Sequence, residues 1–116
     1  MRLFAGVTLA LALAVSLAAQ QVYTPGDGVS LPTVVKQVRA GYTEKAMAAR
    51  VEGDVALDAV VLADGKVGDV TVIESLDEGL DQQATESLKQ WEFNPGLKDG
   101  EPVAVRVRII FSFRLT

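Results

Sequence analysis

The carboxyl-terminal stretch constrains the fold most, because apolar residues recur there at every second position. Every odd position from 103 to 115 is apolar, and the even positions include Arg106, Arg108 and Arg114. This alternation is typical of a strand with one buried and one solvated face. A shift of one residue would bury the three arginines, so the register of this strand against its neighbour is strongly fixed.

Two earlier segments, residues 54–62 and 67–75, have the composition of strands. In the first, Val55, Leu57 and Val61 fall on one face, which predicts a half-buried strand. Asp64 and Gly65 lie between the two segments. An Asp-Gly pair in this position is typical of a hairpin with a type I′ turn, in which both central residues take positive φ. The sequence therefore predicts an antiparallel hairpin.

Two other segments have helical periodicity. Residues 43–50 begin with Thr43, which can cap a helix amino terminus. In the second segment the apolar positions recur at helical spacing and predict an amphipathic helix of about three turns. They are Leu80, Ala84, Leu88 and Trp91, and Asn-Pro-Gly at 94–96 ends the pattern. We expect the aromatic residues to belong to the core, namely Trp91, Phe93, Phe111 and Phe113.

The element order is therefore helix, strand, strand, helix, strand. It predicts an α+β two-layer sandwich in which two helices cover one face of a three-stranded antiparallel sheet. Residues 19–41 contain Pro25, Gly26, Gly28 and Pro32 and predict an extended lead-in, with a short strand or helical turn near Val34. The folded domain is expected to occupy residues 42–116.

The amino terminus has the pattern of an export signal. Arg2 precedes an apolar run over residues 3–17, and the small residues Ser16 and Ala18 occupy the −3 and −1 positions of a cleavage site. We therefore expect residues 1–18 to be a cleaved signal peptide. The alternative is an uncleaved membrane anchor, although the run is shorter than the roughly 20 residues of a usual span. Both interpretations place the rest of the chain outside the cytoplasm, and only the anchor would contact a membrane.

The composition disfavours several classes of function. The chain has no cysteine and no histidine, which excludes thiol nucleophiles, imidazole bases and Cys/His metal sites. Its net charge of −4 disfavours nucleic-acid binding. Asp77, Glu78 and Asp81 lack the spacing of a calcium loop and suit the start of a helix instead. We expect no enzymatic activity and no cofactor.

An ordered series of short motifs resembles one known family. The motifs include Gly-Asp-Val at 53–55, Asp-Gly-Lys-Val at 64–67, Trp-Glu-Phe-Asn-Pro at 91–95 and Asp-Gly-Glu-Pro-Val at 99–103. Residues 32–116 thereby resemble the C-terminal domain of the TonB family of Gram-negative envelopes. The resemblance implies a periplasmic protein of transmembrane transport. Such domains bind the TonB box, an extended segment of outer-membrane transporters, which adds as a strand beside the last strand of the domain.

The last strand is accordingly the predicted binding edge, because an exposed edge offers unpaired backbone groups to an extended peptide. The residues assigned to this edge are Val103, Val105, Arg106, Val107, Arg108, Ile109 and Ile110. Tyr42 either packs under the sheet or contacts the partner strand where it enters. Three alternatives remain open at this point. The arginines could protect an ordinary edge, they could pair with Asp54 and Asp58, or the edge could bind a second copy of the chain.

The signal-peptide interpretation makes a direct prediction. The mature protein is expected to begin at Ala19, because cleavage after Ala18 leaves small residues at both recognition positions. Mass spectrometry of the protein recovered from the periplasm measures this start point. An intact chain found in the inner membrane would instead identify residues 1–18 as an anchor.

Overall fold

The computed structural model describes residues 21–26 and 28–116. Strands and helices follow one another in the order β1 (Val22–Tyr23), β2 (Thr33–Lys36), α1 (Glu44–Ala48), β3 (Gly53–Val61), β4 (Val67–Glu74), α2 (Glu78–Leu88), β5 (Glu92–Asn94), β6 (Gly96–Lys98) and β7 (Glu101–Phe113). The signal peptide predicted for residues 1–18 lies outside the described residues.

The centre of the fold is a three-stranded antiparallel sheet. β3 lies between β7 and β4, and its pairing with β7 runs from Gly53–Phe113 to Val61–Val105 without a register shift. Both helices pack on one face of this sheet, where Ala46 of α1 and Leu80 of α2 join one hydrophobic core. Every second residue of β3 enters the same core, namely Val55, Leu57, Ala59 and Val61. The predicted α+β fold with two helices on one face is confirmed.

Side chains cap both helices at their amino termini. The Thr43 hydroxyl accepts a hydrogen bond from the Ala46 N–H at 3.1 Å, as the sequence predicted. Asp77 caps α2 in the same way through the Leu80 N–H at 3.0 Å. Asp81 accepts hydrogen bonds from the Ser75 hydroxyl and from the Leu76 N–H. Burial opposes ionisation of Asp81, but these hydrogen bonds outweigh it and hold the pKa of its carboxyl below the ordinary value.

The second helix has about the three turns that the sequence predicted, but it ends before Trp91. α2 ends at Leu88, and Trp91 lies beyond it, immediately before β5. The Trp91 N–H still bonds to the Leu88 carbonyl at 3.0 Å, which closes a final turn and turns the chain toward the sheet. The helical spacing correctly predicted that Trp91 is buried in the core. The residues after it do not continue the helix, because they form a strand that pairs with β2.

The β3–β4 turn also differs from the prediction. Asp64 has a negative φ and only Gly65 of the pair is positive, at 87°. The Gly65 N–H bonds to the Leu62 carbonyl at 2.8 Å. This geometry is that of a three-residue loop, a type I turn followed by a left-handed glycine. The turn with two positive φ values lies between β6 and β7, at Asp99 (53°) and Gly100 (81°).

One of the two alternatives expected near Val34, a short strand, is confirmed as β2 (Thr33–Lys36), and the lead-in forms further structure around it. β2 pairs with β5 in a separate two-stranded ribbon, and β1 adds to β7. Farther along, the Val38 carbonyl accepts hydrogen bonds from the Ser87 hydroxyl and from the Trp91 indole N–H, the latter at 2.9 Å. The lead-in is therefore fixed to the end of α2, and the sheet has two strands, β1 and β6, beyond the three that were predicted.

The predicted aromatic core is confirmed in most of its members. Trp91, Phe93 and Phe113 are buried, and the Trp91 and Phe111 rings lie 5.5 Å apart. Phe111 is only half-buried because it lines a cavity beside β7.

Gly65 and Gly100 form a matched pair for a stability test, because both have similar positive φ values. A β-carbon at Gly65 would lie 2.0 Å from the Phe93 carbonyl oxygen, whereas one at Gly100 meets nothing within 4 Å. Gly65→Ala is therefore expected to lower the free energy of unfolding by roughly 3 kcal/mol or more. Gly100→Ala is expected to cost about 1 kcal/mol, from φ alone. Urea unfolding measures both, and similar losses would contradict the proposed close approach.

Trp91→Ala is expected to destabilise the protein by about 3–5 kcal/mol, because it removes a buried aromatic side chain and its hydrogen bond to Val38. Trp91→Phe keeps a ring in the core and should cost less. Thermal unfolding followed by circular dichroism measures both variants. An unchanged midpoint for Trp91→Ala would show that this side chain does not hold the lead-in on the core.

Candidate functional site

β7 and β4 flank the central strand β3, and they differ in regularity. The pairing of β4 with β3 contains two register shifts, between Ala56 and Leu57 and between Ala59 and Val61. Such irregularities bend a strand and hinder the addition of another one. The pairing of β7 with β3 has none over nine successive residue pairs. The regular outer edge of β7 is therefore the better template for an added strand.

The hydrogen bonding of the β3–β4 turn shows which backbone groups face this edge. The Leu62 N–H bonds to the Lys66 carbonyl at 2.8 Å, so even-numbered residues of β3 direct their backbone groups to β4 and odd-numbered ones to β7. Odd residues of β3 stand opposite odd residues of β7, as in the Val55–Phe111 pair. The N–H and C=O groups of even-numbered β7 residues therefore point away from β3.

Residues 106–113 of β7, which we call the open edge, have no strand beside them on that side within residues 21–26 and 28–116. Arg108, Ile110 and Ser112 direct their backbone groups outward here. Five of the seven residues predicted for the binding edge lie on it, from Arg106 to Ile110. The other two are paired within the chain, since Val103 faces Gly96 of β6 and Val105 faces Tyr23 of β1.

Two cavities follow one another along the open edge, and we call them together the trough. The first, of about 460 Å³, lies beside residues 106–109, and the second, of about 990 Å³, lies beside residues 110–114. The lead-in forms the opposite wall. The buried ring of Phe93 lines the first cavity, and the buried ring of Trp91 lines the second. The lead-in residues are Thr24, Pro25, Leu31, Pro32 and Val34 in the first cavity and residues 37–41 in the second.

The trough is apolar where the lead-in faces β7. Leu31 and Val34 are 63% and 47% exposed, which is high for aliphatic side chains in a folded segment. Across from them, Val107 and Ile109 of β7 are only half-buried. The sequence did not predict this wall, because residues 19–41 were expected to form an extended lead-in, without any predicted contact to the last strand. The available signal was the group of aliphatic residues Leu31, Val34 and Val35.

The arginines on the outer face follow the predicted cross-strand pairing in two cases. Arg108 Nε lies 3.0 Å from Asp58 Oδ1, and Arg114 Nη2 lies 3.2 Å from Asp54 Oδ1. The hydrogen bond from Arg108 to Asp58 raises the pKa of that guanidinium above its ordinary value. Arg106 stands opposite Val60 and makes no ion pair with any described residue. Exposed pairs of this kind contribute about 0–1 kcal/mol each.

Tyr42 packs under the sheet, which is one of the two positions predicted for it. Its hydroxyl donates to the Val51 carbonyl at 2.8 Å, and its ring meets the Phe113 ring edge-on at 5.5 Å. Burial raises the pKa of the Tyr42 hydroxyl, which keeps it a donor at neutral pH. Tyr42 also lines the second cavity, so it lies where a partner strand could reach it.

Among the described residues, no helix is long and apolar enough to span a membrane. The structure there also brings together no group of three acidic side chains that could hold a metal ion. Asp77 and Asp81 use their carboxylates in the hydrogen bonds that begin α2.

Comparison with solved structures supports the fold. The solution NMR structure of the Pseudomonas aeruginosa TonB CTD matches with a TM-score of 0.62 at 22% sequence identity, covering 80% of this chain and 93% of that one. At this identity the likeness concerns the fold alone.

The sequence comparisons identify relatives of the same kind. The chain is 37% identical over 89 residues to Protein TonB of Vibrio cholerae, an alignment that covers 75% of this chain and 36% of that protein. It is 36% identical over 75 residues to Protein TonB of Xanthomonas campestris, covering 64% and 34%. The chain thus spans about a third of the length of these relatives. Residues 38–115 match the family model described as Gram-negative bacterial TonB protein C-terminal. The chain therefore belongs to the TonB C-terminal domain family, whose members are interaction proteins and not enzymes.

Proposed function

We propose that this protein is an exported periplasmic domain that binds an extended segment of TonB-dependent outer-membrane transporters by strand addition. One observation carries the proposal: the open edge of β7 is regular, unpaired and bordered by an apolar trough. Backbone groups of Arg108, Ile110 and Ser112 would bond to the partner strand. Side chains of alternate partner residues would enter the trough beside Val107 and Ile109.

The compartment is part of the same proposal. A signal peptide over residues 1–18 would deliver the domain to the periplasm, where the periplasmic faces of outer-membrane proteins are accessible. If those residues remain attached as an anchor, the domain would face the periplasm from the inner membrane. The link to transmembrane transport is supported by membership of the TonB family.

A second candidate is a self-associating structural or adaptor protein, without energy transduction, whose open edge pairs with that of another copy. Strand edges pair as readily with a second copy as with a foreign peptide, so the same edge supports this function. The protruding arginines of the outer face disfavour it, because two copies paired at this edge would bring like charges together. Sedimentation of the protein across a concentration series distinguishes a homodimer from a monomer that binds peptide.

Arg108 provides the test of strand addition. Its backbone N–H points to the open edge, so Arg108→Pro removes one donor for the partner while the hydrogen bonds between β7 and β3 remain. Arg108→Ala removes the charge and the Asp58 contact but keeps the N–H. A synthetic TonB-box peptide is expected to bind Arg108→Pro at least about tenfold more weakly than native protein, and Arg108→Ala within about threefold of native.

Fluorescence anisotropy with a labelled peptide measures these affinities, and circular dichroism verifies that both variants are folded. Equal affinity of the two variants would rule out strand addition at this residue. Loss of binding in Arg108→Ala alone would show that the partner is recognised through the arginine charge.

A further inference from the structure

The open edge begins where another strand of the same chain ends. Val22 and Tyr23 of β1 run parallel to β7, opposite Ala104 and Val105. Ala104 is an even-numbered residue of β7, so its N–H and C=O groups point away from β3 and toward β1. β1 therefore uses the same row of backbone groups that a partner strand would use.

The sequence after Tyr23 explains why this pairing stops after two residues. Pro25 has no N–H to donate, and Gly26 takes a φ of 105° that turns the chain out of the strand direction. The chain then returns beside β6, where the Ser30 N–H bonds to the Leu97 carbonyl at 2.9 Å. The Tyr23 ring lies under Lys98 Nζ, 5.5 Å from it. β1 is thus held in place by contacts on both sides of the turn.

We propose that β1 is a register stop for the partner strand. The inference rests on the proposed function, because it concerns the same edge. A strand that adds along residues 106–113 meets Tyr23 at its end nearest Val105 and cannot pair farther. β1 thereby limits the paired segment of the partner to about eight residues, the number from Arg106 to Phe113. It also fixes which partner side chains face the trough, since a shift of one residue would exchange the two faces.

The experiment uses peptides of different length on the full chain. One TonB-box peptide has eight residues, and two longer forms carry three further native residues at the amino or the carboxyl end. On native protein neither extension is expected to tighten binding. Tyr23→Pro removes the N–H that Tyr23 offers to β7 and should release β1. On this variant one of the two extensions is expected to bind about three- to tenfold more tightly than the eight-residue peptide, because it gains backbone hydrogen bonds.

Tyr23→Ala is the matched control, because it removes the ring but keeps the backbone N–H. It loses the ring contact with Lys98 but keeps the backbone pairing of β1 with β7, so neither extension is expected to tighten binding. Hydrogen exchange at the Ala104 amide reports the state of β1 without any peptide, and exchange is expected to accelerate in Tyr23→Pro only.

The outcomes separate the two proposals. If the eight-residue peptide binds and an extension already tightens binding to native protein, the register stop is wrong and strand addition stands. The same conclusion holds if the Ala104 amide is released in Tyr23→Pro and neither extension gains affinity. If no TonB-box peptide of any length binds native protein, the proposed function itself fails, and the register stop with it.

Discussion

The uninterrupted pairing of β3 with β7 is the constraint on which the other features depend. Because nine residue pairs follow without a shift, the odd residues of both strands send their side chains into the helix-covered core. The same register brings Arg108 beside Asp58 and Arg114 beside Asp54 on the opposite face. It also directs the even-numbered backbone groups of β7 outward. The register of this pairing thus determines the core, the charged face and the open edge. A bulge in β3 or β7 would disturb all three.

The parts of the fold that could be predicted are those encoded by neighbouring residues. Alternation identified β3 and β7 because a strand with two different faces repeats every second residue. The Thr43 cap was recognisable because its hydrogen bond reaches only to Ala46, three residues ahead. Cross-strand charge pairing followed once the alternation had placed the arginines on one face. Five of the residues predicted for a binding edge, Arg106 to Ile110, lie on the open edge because the same alternation defines β7.

The remaining features depend on contacts between distant parts of the chain. Trp91 fits a helical repeat, but pairing with β2 draws the residues after it into a strand. The Asp64–Gly65 loop was expected to be a type I′ turn. Its sequence did not indicate that Gly65 lies against the carbonyl of Phe93, because Phe93 belongs to the distant strand β5. The trough wall could not be found because it joins the lead-in to β7, more than 60 positions away in the sequence. Val105 looked available for the same reason, since its partner Tyr23 lies near the other end of the chain.

The double hydrogen bond at the Val38 carbonyl has a consequence for how this trough responds to change. One side of the trough belongs to the sheet, whereas the lead-in on the other side is fastened through Val38 to Ser87 and Trp91, at the end of α2. The width of the trough is therefore set by the distance between α2 and the sheet, which depends on the volume of buried residues such as Leu88. Substitutions deep in the core can thus change the width of the trough while every residue that lines it stays the same.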